Sequence, residues 1–198
     1  MEYDQVLPQL FIGSYPETRD DIDKLRRASG IIAVLNVQTD GDMHYLNLDW
    51  GSLQAHYTAC GIELRRVPVR DFDPVDLREK LPECVRVLNQ LLAAGHSVYV
   101  HCTAGAGRSP TVAIAYLYWC CGWDLDEAVV HVKHCRPCSP NVEAIRLATQ
   151  DLLNDQTIRQ KIERRADELF KQRPPQAGTQ LQDWAQAERQ VLQEVLNR

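Results

Sequence analysis

Along the chain, short apolar runs alternate with longer stretches in which the apolar residues have helical spacing. The apolar runs are Leu10–Ile12, which stops at Gly13, Ile31–Leu35, Ile62–Val69 and Ser97–His101. The helical stretches between them are Asp20–Ala28, Leu53–Cys60 and Leu81–Ala93. Strands that alternate with helices predict an α/β fold, with a central, mostly parallel sheet flanked by helices.

The pattern changes after Val98–Val100, where the chain becomes rich in glycine and alanine. Ser109 then opens a strongly helical run to Cys121, because Pro110 is tolerated in a first turn. Asp124 is expected to cap a helix that extends through Val132, and Asn141–Leu153 predicts a further core helix. We therefore expect a first domain over residues 1–154.

The remaining residues, 155–198, predict a helical C-terminal extension. Gln156–Phe170 is a charged helical segment, Lys171–Thr179 is typical of a linker, and Leu181–Leu196 is amphipathic. Residues that could share one face of this last helix are Leu181, Trp184, Val191, Leu192 and Val195. Such a face either packs on its own domain or forms a homodimer through the C-terminal helices.

Composition narrows the class of partner and the cellular setting. The net charge of -5 and the pI near 5.7 give no overall attraction to nucleic acid or to anionic lipid, so we expect no nucleic-acid and no membrane partner. The start of the chain lacks a signal-peptide pattern, which favours a cytoplasmic location. Seven cysteines, with Cys120 and Cys121 adjacent, favour reduced thiols over a disulfide framework.

One motif carries chemistry at the junction of strand, small-residue loop and helix. Between Cys102 and Arg108 stand five residues with small side chains: Thr103, Ala104, Gly105, Ala106 and Gly107. Small residues let the backbone curl so that successive N–H groups converge on one point, and the following helix adds its positive end. The loop is therefore predicted to bind phosphate.

The residues at the two ends of this loop have predicted catalytic roles. In such a field Cys102 is expected to be a thiolate nucleophile at neutral pH. Arg108 supplies a planar fork for two phosphate oxygens, and Ser109 can hydrogen-bond the sulfur as it leaves. The alternative is that Cys102 is a small core residue and the glycines form a plain turn. The agreement of strand, loop, arginine and helix favours the phosphate site.

The stretch His101–Ser109 resembles the signature of the protein tyrosine phosphatase superfamily, dual-specificity branch: His-Cys, five residues, then Arg-Ser or Arg-Thr. The resemblance implies hydrolysis through phosphocysteine, with no cofactor and no metal. It also implies a general acid on a mobile upstream loop. Within Arg70–Pro74 the resemblance assigns that role to Asp71, with Asp73 as the second candidate. The alternative for both aspartates is that they cap the following helix.

A closer resemblance, over roughly residues 6 to 153, is to the glucan phosphatase group of laforin-like and starch-excess-like enzymes. The stretches that carry it are Ala104–Gly107, Leu35–Gln38, Asp42–Tyr45, Arg70–Asp73, Ala115–Trp119 and Arg136–Cys138. It implies a phosphorylated glucan as substrate, with Phe72 and Tyr45 as faces for sugar rings. Ordinary loop packing is the alternative for both rings. The chain departs from the plant members at Leu46 and Ser139, where those members tend to carry aromatics.

Three rival hypotheses remain. A phosphoprotein phosphatase acting on phosphotyrosine or phosphoserine and phosphothreonine would use the same loop. A catalytically idle module could bind phosphate or glucan, although an intact set of Cys102, Arg108 and Asp71 argues against it. Finally, the segment His131–Cys138 contains Cys-x-x-Cys with nearby histidines and could indicate zinc, whereas its cysteines are expected to fall in a helix exit turn.

Overall fold

The computed structural model describes residues 1–174 and 178–196 and contains, within these residues, one five-stranded sheet. The strands are β1 (Tyr3–Leu7), β2 (Leu10–Gly13), β3 (Ala33–Asn36), β4 (Glu63–Arg66) and β5 (Val98–His101). Their order across the sheet is β1-β2-β5-β3-β4, and the β1–β2 pair is antiparallel while the other pairs are parallel. The predicted α/β class with a mostly parallel sheet is confirmed.

Helices lie on both faces of the sheet and at the C-terminal end of the chain. They are α1 (Arg19–Ser29), α2 (Asp40–Tyr45), α3 (Trp50–Ala59), α4 (Pro74–Ala93), α5 (Arg108–Trp119), α6 (Leu125–Cys135), α7 (Val142–Asn154), α8 (Gln156–Gln172) and α9 (Gln180–Leu196). None of the helices in the described ranges is both long and apolar enough to cross a bilayer.

Three elements differ from the sequence prediction. Strand β1 was not predicted, because an edge strand with one solvent face shows no continuous apolar run. Helix α2 was also missed, since six residues give too few turns for a periodic pattern. Helix α4 begins at Pro74, well before the predicted Leu81, because Asp73 caps it and proline suits a first turn.

The two faces of the sheet bury separate apolar clusters, so β2, β3 and β5 are buried along their whole length, whereas the edge strand β4 is not. On one face, α4 and α5 pack on the sheet with fully buried side chains such as Leu81, Leu88 and Ile114. On the other face, α1 and α3 contribute Ile22 and Tyr57. Burial on both faces fixes the central strand β5, whose carboxyl end leads directly into residue 102.

Helices α8 and α9 pack against each other and against the rest of the chain. Ile158 and Ile162 of α8 meet Ala187 and Val191 of α9 in a small apolar cluster. Leu192, with Leu196, extends from α9 into the main core. Of the residues predicted to share the packing face, Leu181 is instead exposed. Residues 175–177 of the predicted linker and residues 197–198 lie outside the described residues.

Candidate active site

The loop between β5 and α5 rests against the end of the neighbouring strand β2. Gly105 has a φ of 69°, and a Cβ built on it would lie 2.3 Å from the carbonyl carbon of Gly13. At position 105, glycine alone among the residue types can adopt this left-handed backbone and also approach Gly13 so closely. The loop is therefore held at the carboxyl edge of the sheet, in front of the amino end of α5.

Four successive carbonyl groups of the loop point away from its centre and are each hydrogen-bonded outside it. Thr103 O accepts from Tyr15 N (3.2 Å), Ala104 O and Gly105 O accept from the Arg136 guanidinium (3.3 and 2.9 Å), and Ala106 O accepts from Ser139 N (2.7 Å). The two ends of a peptide unit point in opposite directions, so outward carbonyls turn the following N–H groups inward. The loop thus forms a nest of donors suited to an anion.

Cys102 lies at the bottom of this nest. Its sulfur is buried and accepts hydrogen bonds from Gly105 N at 3.3 Å and from Ser109 Oγ at 3.4 Å. Ser109 is itself fully buried in the first turn of α5. The structure therefore brings Cys102, Ser109 and the loop together. The sulfur has these two donors although Cys102 also borders the main apolar cluster.

Arg108 is only 3% exposed and is held on several sides. Its Nη1 donates to Asp42 Oδ2 and to Val69 O, both at 2.8 Å. Its Nη2 donates to Asp71 Oδ2 at 2.9 Å and to Thr103 Oγ1 at 3.1 Å. The guanidinium consequently has one fixed orientation beside the loop.

One donor of Arg108 is left over: its Nε is buried and has no hydrogen-bond partner among the described residues. Burial lowers the pKa of Arg108. The hydrogen bond to Asp42 and the charges of Cys102 and Asp71 raise this pKa by a larger amount, so the net shift is upward. A buried cation with an unsatisfied donor is costly, and an anion in the nest would offset that cost.

Asp42 is a site residue to which sequence reasoning gave no role. It lies on α2, where its Oδ2 also accepts from Thr39 N at 2.7 Å and Thr39 Oγ1 at 2.8 Å. Burial raises the pKa of Asp42, but the hydrogen bonds from Arg108 and Thr39 outweigh it and lower the pKa overall. The spacing of Thr39 and Asp42 is a capping-box signal that could have predicted the start of α2, but not the contact with Arg108.

The two candidate acids occupy different positions. Asp71 contacts the guanidinium of Arg108 through Oδ2, and its Oδ1 accepts from Phe72 N at 3.2 Å. Asp73 is the N-cap of α4, where its Oδ1 accepts from Val75 N and Asp76 N at 3.1 and 2.9 Å. The capping alternative therefore describes Asp73, and the structure brings only Asp71 of the two to Arg108.

Two exposed aromatic rings flank this centre. Phe72 is 99% exposed and Tyr45 is 85% exposed, so ordinary loop packing accounts for neither ring. Phe72 lines a pocket of about 270 Å³ that includes Gly107 and Arg108, while Tyr45 lines a second pocket of about 360 Å³. Arg70 and Asp71 line both pockets, so the two meet at Asp71. Phe72 also has a φ of 56°, which is strained for a bulky side chain.

The segment His131–Cys138, the zinc alternative, has another arrangement. His131 Nε2 lies 2.8 Å from the carbonyl oxygen of Val6, and its ring packs at 5.0 Å on Trp123. Among the described residues, no group of three ligands forms in this segment. Arg136, within it, instead supports the phosphate-binding loop and pairs with Asp4 at 2.7 Å. The contact of Arg136 with this loop was not predicted.

Comparisons with known proteins agree with this geometry. The family model for the dual specificity phosphatase catalytic domain matches residues 10–149. A phosphoglucan phosphatase of Castanea sativa, DSP4, amyloplastic, is 36% identical over 164 residues, which are 82% of this chain and 43% of that protein. Laforin of Mus musculus is 30% identical over 162 residues, covering 76% and 49% of the two chains. This chain thus spans less than half the length of either relative.

Among solved structures, human DUSP28 superposes with a TM-score of 0.59 at 29% identity, covering 76% of this chain and 94% of that one. The family match extends from β2 through most of α7 and includes the whole candidate site. The chain therefore belongs to the dual specificity phosphatase family.

Proposed function

We propose that this chain hydrolyses phosphate monoesters through a phosphocysteine on Cys102, and that its substrate class is phosphorylated glucan. The observation that carries the reaction is the set of four outward-bonded carbonyls at 103–106, which turns a ring of N–H groups toward the sulfur. Beside that ring stands Arg108 with an unsatisfied Nε. A phosphate dianion would satisfy both.

In the first step the Cys102 sulfur attacks phosphorus, and the bond from phosphorus to the leaving oxygen breaks. Asp71 gives its proton to that oxygen, so the product leaves as an alcohol. The loop N–H groups and Arg108 bind the equatorial oxygens as charge spreads over them. An entering phosphate oxygen would replace the Asp71 carboxylate that is now 2.9 Å from Arg108 Nη2, which keeps Asp71 next to the reacting group.

In the second step water attacks the phosphocysteine. Asp71, now a carboxylate, takes a proton from that water, and the sulfur leaves as a thiolate. The hydrogen bond from Ser109 Oγ, at 3.4 Å from Sγ, stabilises the departing sulfur. Inorganic phosphate is released and Asp71 is again protonated, so the cycle closes with these side chains alone.

Three features support a glucan as the substrate. The loop residues between Cys102 and Arg108 carry no charge, which suits a phosphate on a neutral polymer. The rings of Phe72 and Tyr45 are free to lie against sugar faces on either side of Asp71. Finally, the chain is similar to a protein named phosphoglucan phosphatase.

The direct test is phosphate release from phosphorylated amylopectin or glycogen, measured beside phosphopeptides, with Cys102→Ser as the control. We expect release from glucan that Cys102→Ser abolishes. Release from phosphopeptides only would reject the glucan and favour the phosphoprotein alternative, with the mechanism intact. Glucan binding without any turnover by the wild type would favour the idle module. Turnover that survives Cys102→Ser would reject the mechanism.

The remaining sequence predictions stay proposals. We propose that residues 155–198 are a helical extension of a catalytic domain at 1–154, supported by the packing of Leu192 and Leu196 into the main core. A homodimer through α8 and α9 would have to use exposed residues such as Leu181, and sedimentation of the chain tests it. The cytoplasmic location also stays a prediction, as does the lack of nucleic-acid and membrane partners.

A further inference from the structure

A second cluster of reactive side chains lies between α1 and α3, away from the loop at 102–108. It consists of Asp23 on α1, His56 on α3 and Cys60, the C-cap residue of α3. Asp23 Oδ1 lies 2.8 Å from His56 Nε2 and 3.4 Å from Cys60 Sγ, and the sulfur lies 3.5 Å from His56 Nε2. Three different metal-binding atoms therefore form one small triangle.

This triangle can be compared with one face of a tetrahedral zinc site. Usual zinc bond lengths place a sulfur and a nitrogen ligand about 3.6 Å apart, a sulfur and an oxygen about 3.6 Å apart, and a nitrogen and an oxygen about 3.4 Å apart. The two edges that include Cys60 Sγ already match within a few tenths of an ångström. Only the edge from His56 to Asp23, now a hydrogen bond, would have to open, by about 0.6 Å.

The surroundings suit such an ion. Arg27 Nη2 lies 3.2 Å from Asp23 Oδ2, which orients the carboxylate and leaves Oδ1 for the metal. The side chains of Asp23 and His56 are 28% and 22% exposed, so the site is open to solvent on one side. Thiolate and imidazole together favour zinc over magnesium or calcium. We propose that Asp23, His56 and Cys60 bind one zinc ion, whose fourth ligand is water.

The position of the site in the fold indicates a role in stability rather than in hydrolysis. Cys60 leads into Glu63 at the beginning of β4, whereas Cys102 follows the end of the parallel strand β5. The cluster therefore lies at the amino ends of the parallel strands, and the loop at 102–108 lies at their carboxyl ends. An ion at this place would link α1 to α3, and the thiol proton of Cys60 would be released to solvent on binding. From the sequence we expected no metal, and the zinc alternative concerned only His131–Cys138.

The chain supplies an internal control for this proposal. His131 and Cys135 on α6 have the same spacing as His56 and Cys60, and Cys135 Sγ lies 3.8 Å from His131 Nε2. However, that nitrogen contacts the carbonyl oxygen of Val6, and no third ligand completes the pair among the described residues. A His–Cys pair without a third ligand, and with its histidine nitrogen already in contact with a carbonyl, should bind metal weakly, so it serves as the control for the thiol.

The test uses the full chain in a Cys102→Ser background, which removes the active-site thiol as a competing ligand. We expect one equivalent of Co²⁺ to give the near-ultraviolet absorption of a thiolate–cobalt bond and the visible bands of tetrahedral cobalt, and Zn²⁺ to displace it. Cys60→Ser should abolish the thiolate band. Cys135→Ser should retain it, because it removes the matched thiol from the pair without a third ligand.

Two further measurements protect the test against a variant that does not fold. His56→Gln and Asp23→Asn should each weaken zinc binding by at least about tenfold in calorimetry. Zinc should raise the Tm of the parent, but not that of the three site variants, whereas magnesium should leave it unchanged. A thiolate band that survives Cys60→Ser, or one lost in Cys135→Ser, would overturn the assignment. So would zinc affinity unchanged in both His56→Gln and Asp23→Asn.

Discussion

The floor of the candidate active site and its rim are built in different ways. The floor is the loop Cys102–Ser109, in which the carbonyls at 103–106 each have a partner and both Cys102 and Arg108 are 3% exposed. The rim, formed by Asp71, Phe72 and Tyr45, is open to solvent. A rigid floor suits chemistry common to all monoesters, and an exposed rim suits contact with one class of substrate. Changes to the floor should therefore affect every substrate, and changes to the aromatic rim only some.

The largest effect is expected where the rim reaches the chemistry, at Asp71. Asp71→Asn cannot donate or accept the catalytic proton, so kcat should fall by about 10³-fold on glucan. The fall in kcat should be smaller for substrates with an acidic leaving group, because such a group needs less protonation. The matched control is Asp73→Asn, because asparagine caps α4 about as well as aspartate. Asp73→Asn should keep kcat within about twofold of the wild type, because Asp73 caps α4 and takes no part in the reaction. Equal losses in the two variants would contradict the assignment.

The next effect concerns the floor, through Arg136. Arg136→Met would leave the carbonyls of Ala104 and Gly105 without their donor, and burial of Gly105 makes this costly. We expect the free energy of unfolding to fall by about 3 kcal/mol, measured by urea denaturation, with kcat lowered by the same factor on glucan and on an aryl phosphate. Arg146→Met, at an exposed arginine on α7, should cost about 0.5 kcal/mol or less. A glucan-specific loss in Arg136→Met would argue that Arg136 belongs to substrate recognition.

A smaller effect depends on pH and arises at His101, the residue before the floor. Burial, aided by the charge of Arg108, lowers the pKa of His101 from 6.5 to about 4 in spite of a hydrogen bond to Cys102 O. Below pH 6.5 the unfolded chain binds a proton that the folded chain does not, so the free energy of unfolding decreases as pH falls. Between pH 6.5 and 5 the loss from this residue should be about 2 kcal/mol. Urea denaturation at several pH values measures it.

Variants decide whether His101 is the cause. His101→Gln should show a shallower loss of stability over the same pH range, while His44→Gln, at an exposed position on α2, should retain the slope of the wild type. If both variants keep the wild-type slope, the acid sensitivity comes from other groups.

The floor could be predicted from the sequence because it is local. Strand, small-residue loop and first helical turn follow one another within the stretch from Val98 to Pro110, so their pattern alone predicts an anion site. Short apolar runs likewise predicted β5 and its two neighbours, β2 and β3. The outer partners of the floor were not predictable in this way, since Asp42 contacts Arg108 across 66 residues and Arg136 contacts Gly105 across 31.

The rim shows the opposite limit. Asp71 and Asp73 are equivalent as residue types, and only the start of α4 at Pro74 gives Asp73 the capping position. Spacing cannot decide between them, because it depends on where a helix begins. Likewise, residue type alone does not indicate that the rings of Phe72 and Tyr45 are exposed, because aromatic side chains are more often buried.

The smallest effect expected is also the sharpest test of the rim as a recognition surface. An exposed phenyl ring on a strained backbone contributes nothing to the core, so Phe72→Ala should leave stability and kcat on an aryl phosphate near wild type. On phosphorylated glucan, loss of one ring face should raise KM about fivefold, equivalent to about 1 kcal/mol. Phe72→Tyr should keep the wild-type KM. Phe170→Ala removes a half-exposed ring on α8, outside the site, and should change the kinetic constants for neither substrate. A KM for glucan unchanged in Phe72→Ala would show that the ring is not a sugar platform, and an equal effect on both substrates would show that it belongs to the floor.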